Sequence, residues 1–215
     1  MSIRILLADD HEIMLNGLRS LLEKQDGMEV VGEVKDGREA VAAARRKSPH
    51  VVVMDLSMPG MNGIEATRRI AAELPAVKVL CFSMHADRGF VGAALEAGAA
   101  GYLLKDYALE DLVTAIRTVA AGETYLCSQV TGAVVEAYRA ARARGGTSAY
   151  SLLTAREREI LQLIAEGHTN AKIARRLGLS IKTVGTHRER MMAKLDIHTV
   201  AGLTKYAIRE GLTSS

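Results

Sequence analysis

Apolar runs and helical periods alternate through the first half of the chain at intervals of about 20 to 25 residues. Ile3 to Ala8 predicts a short buried strand, and the stretch from about Glu12 to Gln25 carries Ile13, Leu15, Leu18, Leu21 and Leu22 at helix-compatible spacings. Val30 to Val34 predicts a second strand. A turn at Asp36-Gly37 leads into an alanine-rich helix from Arg38 to Arg46. Val51 to Met54 is the most apolar strand and ends at Asp55, where Met58-Pro59-Gly60 forces a loop. The remaining pattern predicts helix 63–73, strand 77–82, helix 87–97, strand 101–104 and helix 108–121. Five short strands, apolar on both faces and each followed by a helix, predict an α/β domain over residues 1–122. Its expected core is a five-stranded doubly wound parallel sheet with right-handed crossovers and helices on each face.

The pattern then changes. Residues 123–149 read as a linker, with a helix from Val130 to Ala143 that sets Val130, Val134, Ala137 and Tyr138 on one side and Gly145-Gly146-Thr147-Ser148 as its stop. Arg139, Arg142 and Arg144 fit a solvated helix face. Residues 150–215 predict a second, all-α domain of four helices. Thr154-Ala155-Arg156-Glu157 is a capping box that opens the first, which runs to about Glu166, buries Ile160, Leu161 and Ile164, and stops at Gly167. A helix from Asn170 to Leu177 ends at Gly178, and another spans Lys182 to Leu195. Thr199 to Arg209 makes the fourth, with Leu203, Tyr206 and Ala207 as its apolar stripe. Two short helices joined by a glycine-containing turn read as a helix-turn-helix.

Composition narrows the class. The 215 residues are 48% hydrophobic and 25% charged with three prolines, which excludes a disordered or collagenous chain. Two cysteines, Cys81 and Cys127, supply neither a disulfide framework nor a structural zinc set, so both are expected as plain thiols in a reducing compartment. No signal peptide and no apolar run of membrane-spanning length is found, and the expected location is the cytoplasm. Charge is unevenly divided. Residues 1–125 carry 14 Lys/Arg against 18 Asp/Glu, whereas residues 126–215 carry 14 against 7. A basic module behind an acidic one points to a regulator whose second half meets a polyanion.

Ligands of such sheets sit beyond the carboxyl ends of the strands. The polar residues there are Asp9 and Asp10, Asp55, Ser83 and Lys105. Three carboxylates from two strand ends repel one another unless a cation sits among them, and a hard divalent ion such as Mg²⁺ suits oxygen donors. A carboxylate, an ammonium and a hydroxyl around a metal also suit phosphoryl transfer, with an aspartate as nucleophile. The plainer alternative makes Asp9 and Asp10 helix-capping acids, with Asp10 or His11 starting the helix. No GxxxxGK[ST] motif is present, so the phosphoryl group must come from a separate donor.

Residues 1 to about 122 resemble the receiver domain of two-component response regulators in the acidic pair Asp9-Asp10, the acceptor Asp55, the Met58-Pro59-Gly60 loop, Ser83 and Lys105. The resemblance implies that Asp55 accepts a phosphoryl group from a sensor histidine kinase. It implies that Asp10 and Asp55 ligate Mg²⁺ with the carbonyl of Ser57, while Asp9 holds a metal-bound water. It further implies that Ser83 and Lys105 bind the phosphoryl group and that Tyr102 is the aromatic that turns inward when Ser83 moves. Asp106 replaces the proline many receivers carry after the lysine, as in the NarL/FixJ subclass. Met84 and His85 flank the pocket, with His85 expected at its solvent edge, tuning hydrolysis.

Residues 152–212 resemble the LuxR-type helix-turn-helix domain of the same group through Leu153-Thr154, Arg156-Glu157-Arg158-Glu159, Ile173-Ala174, Lys182-Thr183-Val184, Thr186-His187 and Lys194-Leu195. On the third helix Val184, His187, Met191 and Leu195 form the packing face. Lys182, Thr183, Gly185, Thr186, Arg188, Glu189, Arg190 and Lys194 are the candidate contacts to double-stranded DNA. Gly185 departs from the acidic residue usual there. The resemblance implies that the fourth helix pairs two domains through Val200, Leu203 and Tyr206 in a homodimer formed on phosphorylation or DNA binding. The expected function is a DNA-binding transcriptional response regulator and not an enzyme. The alternatives are a phosphorylation-independent regulator, against which the intact pocket argues, and an aspartyl-phosphate phosphatase-like enzyme. The latter needs a general acid two residues past the nucleophile, where Ser57 stands.

Overall fold

The computed structural model describes residues 2–107, 109–132, 134–135, 152–210 and 212, and the chain divides into two compact units, Met1–Ala137 and Tyr138–Ser215. The predicted segment Ala137 to Ser148, with its three arginines and its glycine stop, lies outside the described residues.

In the first unit the strands β1 (Ile3–Ala8), β2 (Met28–Val34), β3 (Val51–Met54), β4 (Lys78–Ser83) and β5 (Gly101–Leu104) alternate with the helices α1 (Glu12–Leu22), α2 (Gly37–Lys47), α3 (Gly63–Glu73), α4 (Arg88–Glu96) and α5 (Leu109–Ala120). All pairings are parallel, and the order is β2-β1-β3-β4-β5 as far as these five go. A sixth strand, β6 (Tyr125–Leu126), extends the expected five by pairing Gly101 with Tyr125 and Tyr102 with Leu126. The residues behind it, Cys127 and Val130, are buried in the same core. Part of the segment read as linker therefore belongs to the first unit.

The central strands are covered on both faces, which is why they read as unbroken apolar runs. Ile5, Leu6, Leu7 and Val51 to Met54 are all essentially inaccessible, and burying each such side chain contributes roughly 1.5–3 kcal/mol. Local chemistry sets the helix starts. The Asp36, Asn62 and Asp87 side chains accept from the backbone N–H groups of Arg38, Glu65 and Gly89, respectively, at the N-termini of α2, α3 and α4. β1 pairs with β2 on one side and β3 on the other, so the chain leaves it in opposite directions. Such a reversal opens a crevice at the strand ends.

The second unit contains α6 (Ala155–Ala165), α7 (Asn170–Leu177), α8 (Ile181–Leu195) and α9 (Val200–Arg209). Each starts on a hydroxyl cap: Thr154, Thr169, Ser180 and Thr199 accept from the N–H of Glu157, Lys172, Thr183 and Gly202. Gly178 ends α7 in the left-handed conformation, with φ +65°, and so turns the chain toward α8. Ile160, Leu161, Leu163, Ile164, Ile173, Val184, Met191, Leu203 and Tyr206 form its core. Among the described residues no helix is long and apolar enough to cross a membrane.

Candidate functional site

The crevice collects charge from three strand ends. Asp55 follows β3 directly, its N–H donates to Ala8 O at 2.8 Å, and its side chain is almost wholly buried. The start of α3 crosses immediately behind it. A Cβ on Gly63 would lie 2.0 Å from the Asp55 carbonyl oxygen, so only glycine admits this approach. Asp9 is equally buried, and its Oδ1 accepts the His11 N–H at 2.9 Å. His11 is the residue that caps α1, without a side-chain bond to the helix. Lys105 follows β5, with its N–H on Ser83 O, and its Nζ reaches Asp9 Oδ2 at 2.6 Å and Asp55 Oδ2 at 3.0 Å.

Burial pushes the Asp55 carboxyl above its ordinary range, opposed by the Lys105 ammonium and reinforced by the neighbouring charge of Asp9. Lys105 supplies one positive charge to a group of three aspartates. Ligating atoms of Asp9, Asp10, His11 and Asp55 lie within 4.8 Å of one another, a cluster able to chelate a divalent metal ion. Asp10 Oδ1 is a buried oxygen that receives no hydrogen bond, since His11 Nδ1, 3.0 Å away, makes its bond with Asp9 Oδ1 at 3.1 Å. An orphaned carboxylate oxygen among acids is the donor a cation needs, so the residues present fit the ion. His11 was not among the sequence candidates for this cluster. Its place directly after the acidic pair at a strand end was the available signal.

The rim of the pocket is a chain of polar contacts. Ser83 is fully buried and its Oγ accepts the His85 N–H at 3.1 Å. The Tyr102 hydroxyl donates to His85 O at 2.6 Å, and its ring is fully buried against the sheet. The His85 ring stacks on Phe90 with centroids 4.0 Å apart, and its Nε2 lies 3.0 Å from Ser57 Oγ. Ser57 and His85 thus bridge the loops after β3 and β4, a contact the sequence alone did not reveal. Cys81 and Cys127 are free and buried, and burial pushes the Cys81 thiol up to about 12, which makes it a poor nucleophile.

In the second unit α8 turns Val184 and Met191 inward, while Lys182, Thr186, Glu189 and Arg190 are exposed along one side. Thr183, Gly185, His187 and Arg188 are half-buried, so His187 reaches the core only in part. Arg188 faces a surface groove of about 540 Å³ shared with His168, Asn170, Ile181 and Val200. Some of the expected contact residues have partners within their own unit. Lys194 turns back onto α6, with Nζ 2.6 Å from Glu157 Oε2. Leu203 and Tyr206 pack into the core of their own unit, which leaves Val200 as the exposed member of the expected dimer set.

A family model for the response regulator receiver domain matches residues 5–117, and one for the bacterial regulatory proteins of the luxR family matches residues 151–207. The chain belongs to the two-component response regulators, with a receiver domain and a LuxR-type helix-turn-helix domain. It is 41% identical over 212 residues to the transcriptional regulatory protein MctR of Rhizobium johnstonii, covering 99% of this chain and 96% of that one. To the transcriptional regulatory protein LiaR of Bacillus subtilis it is 43% identical over 214 residues, covering 99% and 100%. Among solved structures, the RcsB–DNA complex shares 28% identity with a TM-score of 0.61, covering 97% of this chain and 99% of that one. The chain is accordingly a phosphorylation-regulated, DNA-binding transcriptional regulator of the NarL/FixJ type, a signalling protein rather than a catalyst.

Proposed function

We propose that Asp55 takes the phosphoryl group from the phosphohistidine of a sensor kinase. An Asp55 oxygen attacks phosphorus, the P–N bond breaks, and the electron pair leaves with the imidazole, which takes up a proton. Asp10, Asp55 and the Ser57 carbonyl would hold Mg²⁺, and Asp9 would reach it through a water. When bound, that ion neutralises oxygens of the transferring group. Lys105 then leaves its contact with Asp55 for the new phosphoryl oxygens, and Ser83 turns its hydroxyl toward them. That movement breaks the bond from His85 N–H to Ser83 Oγ and alters the loop to which Tyr102 is tied.

The output is double-stranded DNA. Lys182, Thr186, Glu189 and Arg190 present one exposed side of α8, flanked by Thr183, Gly185 and Arg188, and the excess of basic residues beyond residue 125 suits a polyanion. Lys182, Arg188 and Arg190 meet phosphates, while Thr186 and Glu189 face base edges. RcsB has been solved with DNA, at 28% identity to this chain, and as two dimers on two parallel DNAs, at 27%. Those structures support a homodimer here, and we assign the exposed Val200 to its contact.

The observation that carries the reading is the convergence of Asp9, Asp10, Asp55 and Lys105 at the strand ends. The test is labelling by a small phosphodonor with Mg²⁺. Wild type should gain a hydroxylamine-sensitive phosphoryl group near one per chain and Asp55→Asn none. Stoichiometric labelling of Asp55→Asn would remove Asp55 as acceptor.

A further inference from the structure

Helix α8 has few apolar anchors. Of its fifteen residues, all described, Val184 and Met191 are the buried ones. They stand seven positions apart on one stripe, and Met191 lies a full turn short of the helix end. Met192 and Leu195 pack partly buried against the core at that end, and a polar contact adds to them. The Glu157 side chain is 3% exposed, and a carboxylate this deeply buried is costly unless its charge is met. Its Oε2 accepts from Thr154 N at 2.8 Å, from Thr154 Oγ1 at 3.0 Å and from Lys194 Nζ at 2.6 Å. Thr154 is the N-cap of α6, and Lys194 is the penultimate residue of α8. One buried oxygen therefore joins the beginning of α6 to the last turn of α8, across 37 residues of sequence.

We propose that Lys194 is a positioning residue for DNA recognition: it pins the C-terminal end of α8 to Glu157, fixes the tilt at which the Lys182–Thr186–Glu189 side is offered, and neutralises no DNA phosphate. The proposal rests on the reading that α8 enters the groove. Moving the ammonium to a phosphate would strand the Glu157 charge in the core. Phosphate contacts at the protein surface are exchanged with solvent ions, whereas taking Lys194 away leaves the buried Glu157 carboxylate with only its Thr154 bonds. The basic residues of α8 therefore divide into two kinds. Both lysines are exposed, but Lys182 stands at the first turn, whereas the Lys194 ammonium is held on the buried Glu157 carboxylate.

The experiment uses the full chain and a duplex that the wild type selects from a randomised library. Affinity is measured over a salt series for wild type, Lys182→Ala, Lys194→Met, Glu157→Gln and the double variant Lys194→Met/Glu157→Gln. Lys182→Ala should lower the slope of log K against log salt by up to about 1. Lys194→Met should weaken binding by roughly tenfold at every salt concentration with the slope unchanged. The double variant should bind no worse than Lys194→Met, because both changes remove one interaction. Thermal unfolding without DNA should show the same non-additivity. A slope lowered in Lys194→Met as it is in Lys182→Ala, or losses that add in the double variant, overturns the proposal and makes Lys194 a phosphate contact. Absence of salt-dependent duplex binding by the wild type overturns the groove reading itself, and this proposal with it.

Discussion

Lys105 reaches from the end of β5 to Asp55 at the end of β3, Nζ to Oδ2 3.0 Å, while the same ammonium touches Asp9 Oδ2 at 2.6 Å. The two strands are not neighbours, since β4 lies between them. A single charge thus crosses the mouth of the pocket and holds two buried carboxylates that would otherwise repel. A divalent ion and this ammonium would answer the same group of carboxylates, which makes them partial competitors.

Replacing Lys105 by alanine should therefore act in opposite directions on the free and the metal-loaded protein. Without divalent ions the first unit should lose roughly 3 kcal/mol, the cost of leaving buried charge unpaired. Mg²⁺ should bind the variant more tightly, by roughly tenfold, because the repelling ammonium is gone. Thermal unfolding with and without a chelator, together with calorimetric titration of Mg²⁺, checks both. Equal Mg²⁺ affinity in the two proteins would show that Lys105 does not share the ion's oxygens.

Glu157 gives a pH prediction for the second unit. Burial pushes its carboxyl up, but the bonds from Lys194 and Thr154 more than reverse this and leave it below its ordinary value of 4.5. A carboxylate depressed by folding contributes stability that is fully present above that ordinary value. The contribution is lost as pH falls through the lower folded value. The stability difference between wild type and Glu157→Gln should hold at neutral pH and shrink below pH 4.5. Denaturant unfolding of the second unit at several pH values measures it, and a difference that widens in acid would reverse the assignment.

Gly185 is helical, and a Cβ placed on it would meet nothing within 4 Å. The packing of the unit gives no reason for glycine. Gly185→Ala should stabilise the second unit by roughly 0.5–1 kcal/mol, the usual gain in a helix interior, and raise its thermal midpoint by several degrees, roughly 2–8 °C. A lowered midpoint would mean that the helix is not regular there.

The elements that were legible in the sequence are those with a local cause. Val51 to Met54 announces a buried parallel strand because both its faces are covered. Thr154 and Glu157 announce a helix start because the capping box is made within four residues. Strand β6 was missed because Tyr125-Leu126 is too short to show a period, and its pairing depends on Gly101 far away in the chain. The pocket acids and Lys105 were legible because each stands at the end of an apolar run. Distant pairings were not. Nothing in the sequence around Lys194 shows that it turns to Glu157, and nothing around His85 shows that it meets Ser57. Leu203 and Tyr206 were legible as an apolar stripe, and they pack in the core of their own unit; a dimer contact there is implied by the resemblance alone.

The central claim is that the charge state of Asp55 governs duplex binding, and the direct measurement is affinity with and without a phosphodonor. Wild type and Asp55→Asn are titrated against the selected duplex in Mg²⁺, with and without acetyl phosphate, and mass spectrometry fixes the phosphorylated fraction. Coupling between two sites of one protein is commonly about 5- to 150-fold. Wild-type affinity should change within that range once phosphorylated, while Asp55→Asn should bind the duplex equally in both conditions. An equal response of Asp55→Asn, or fully phosphorylated wild type with unaltered affinity, would contradict the account.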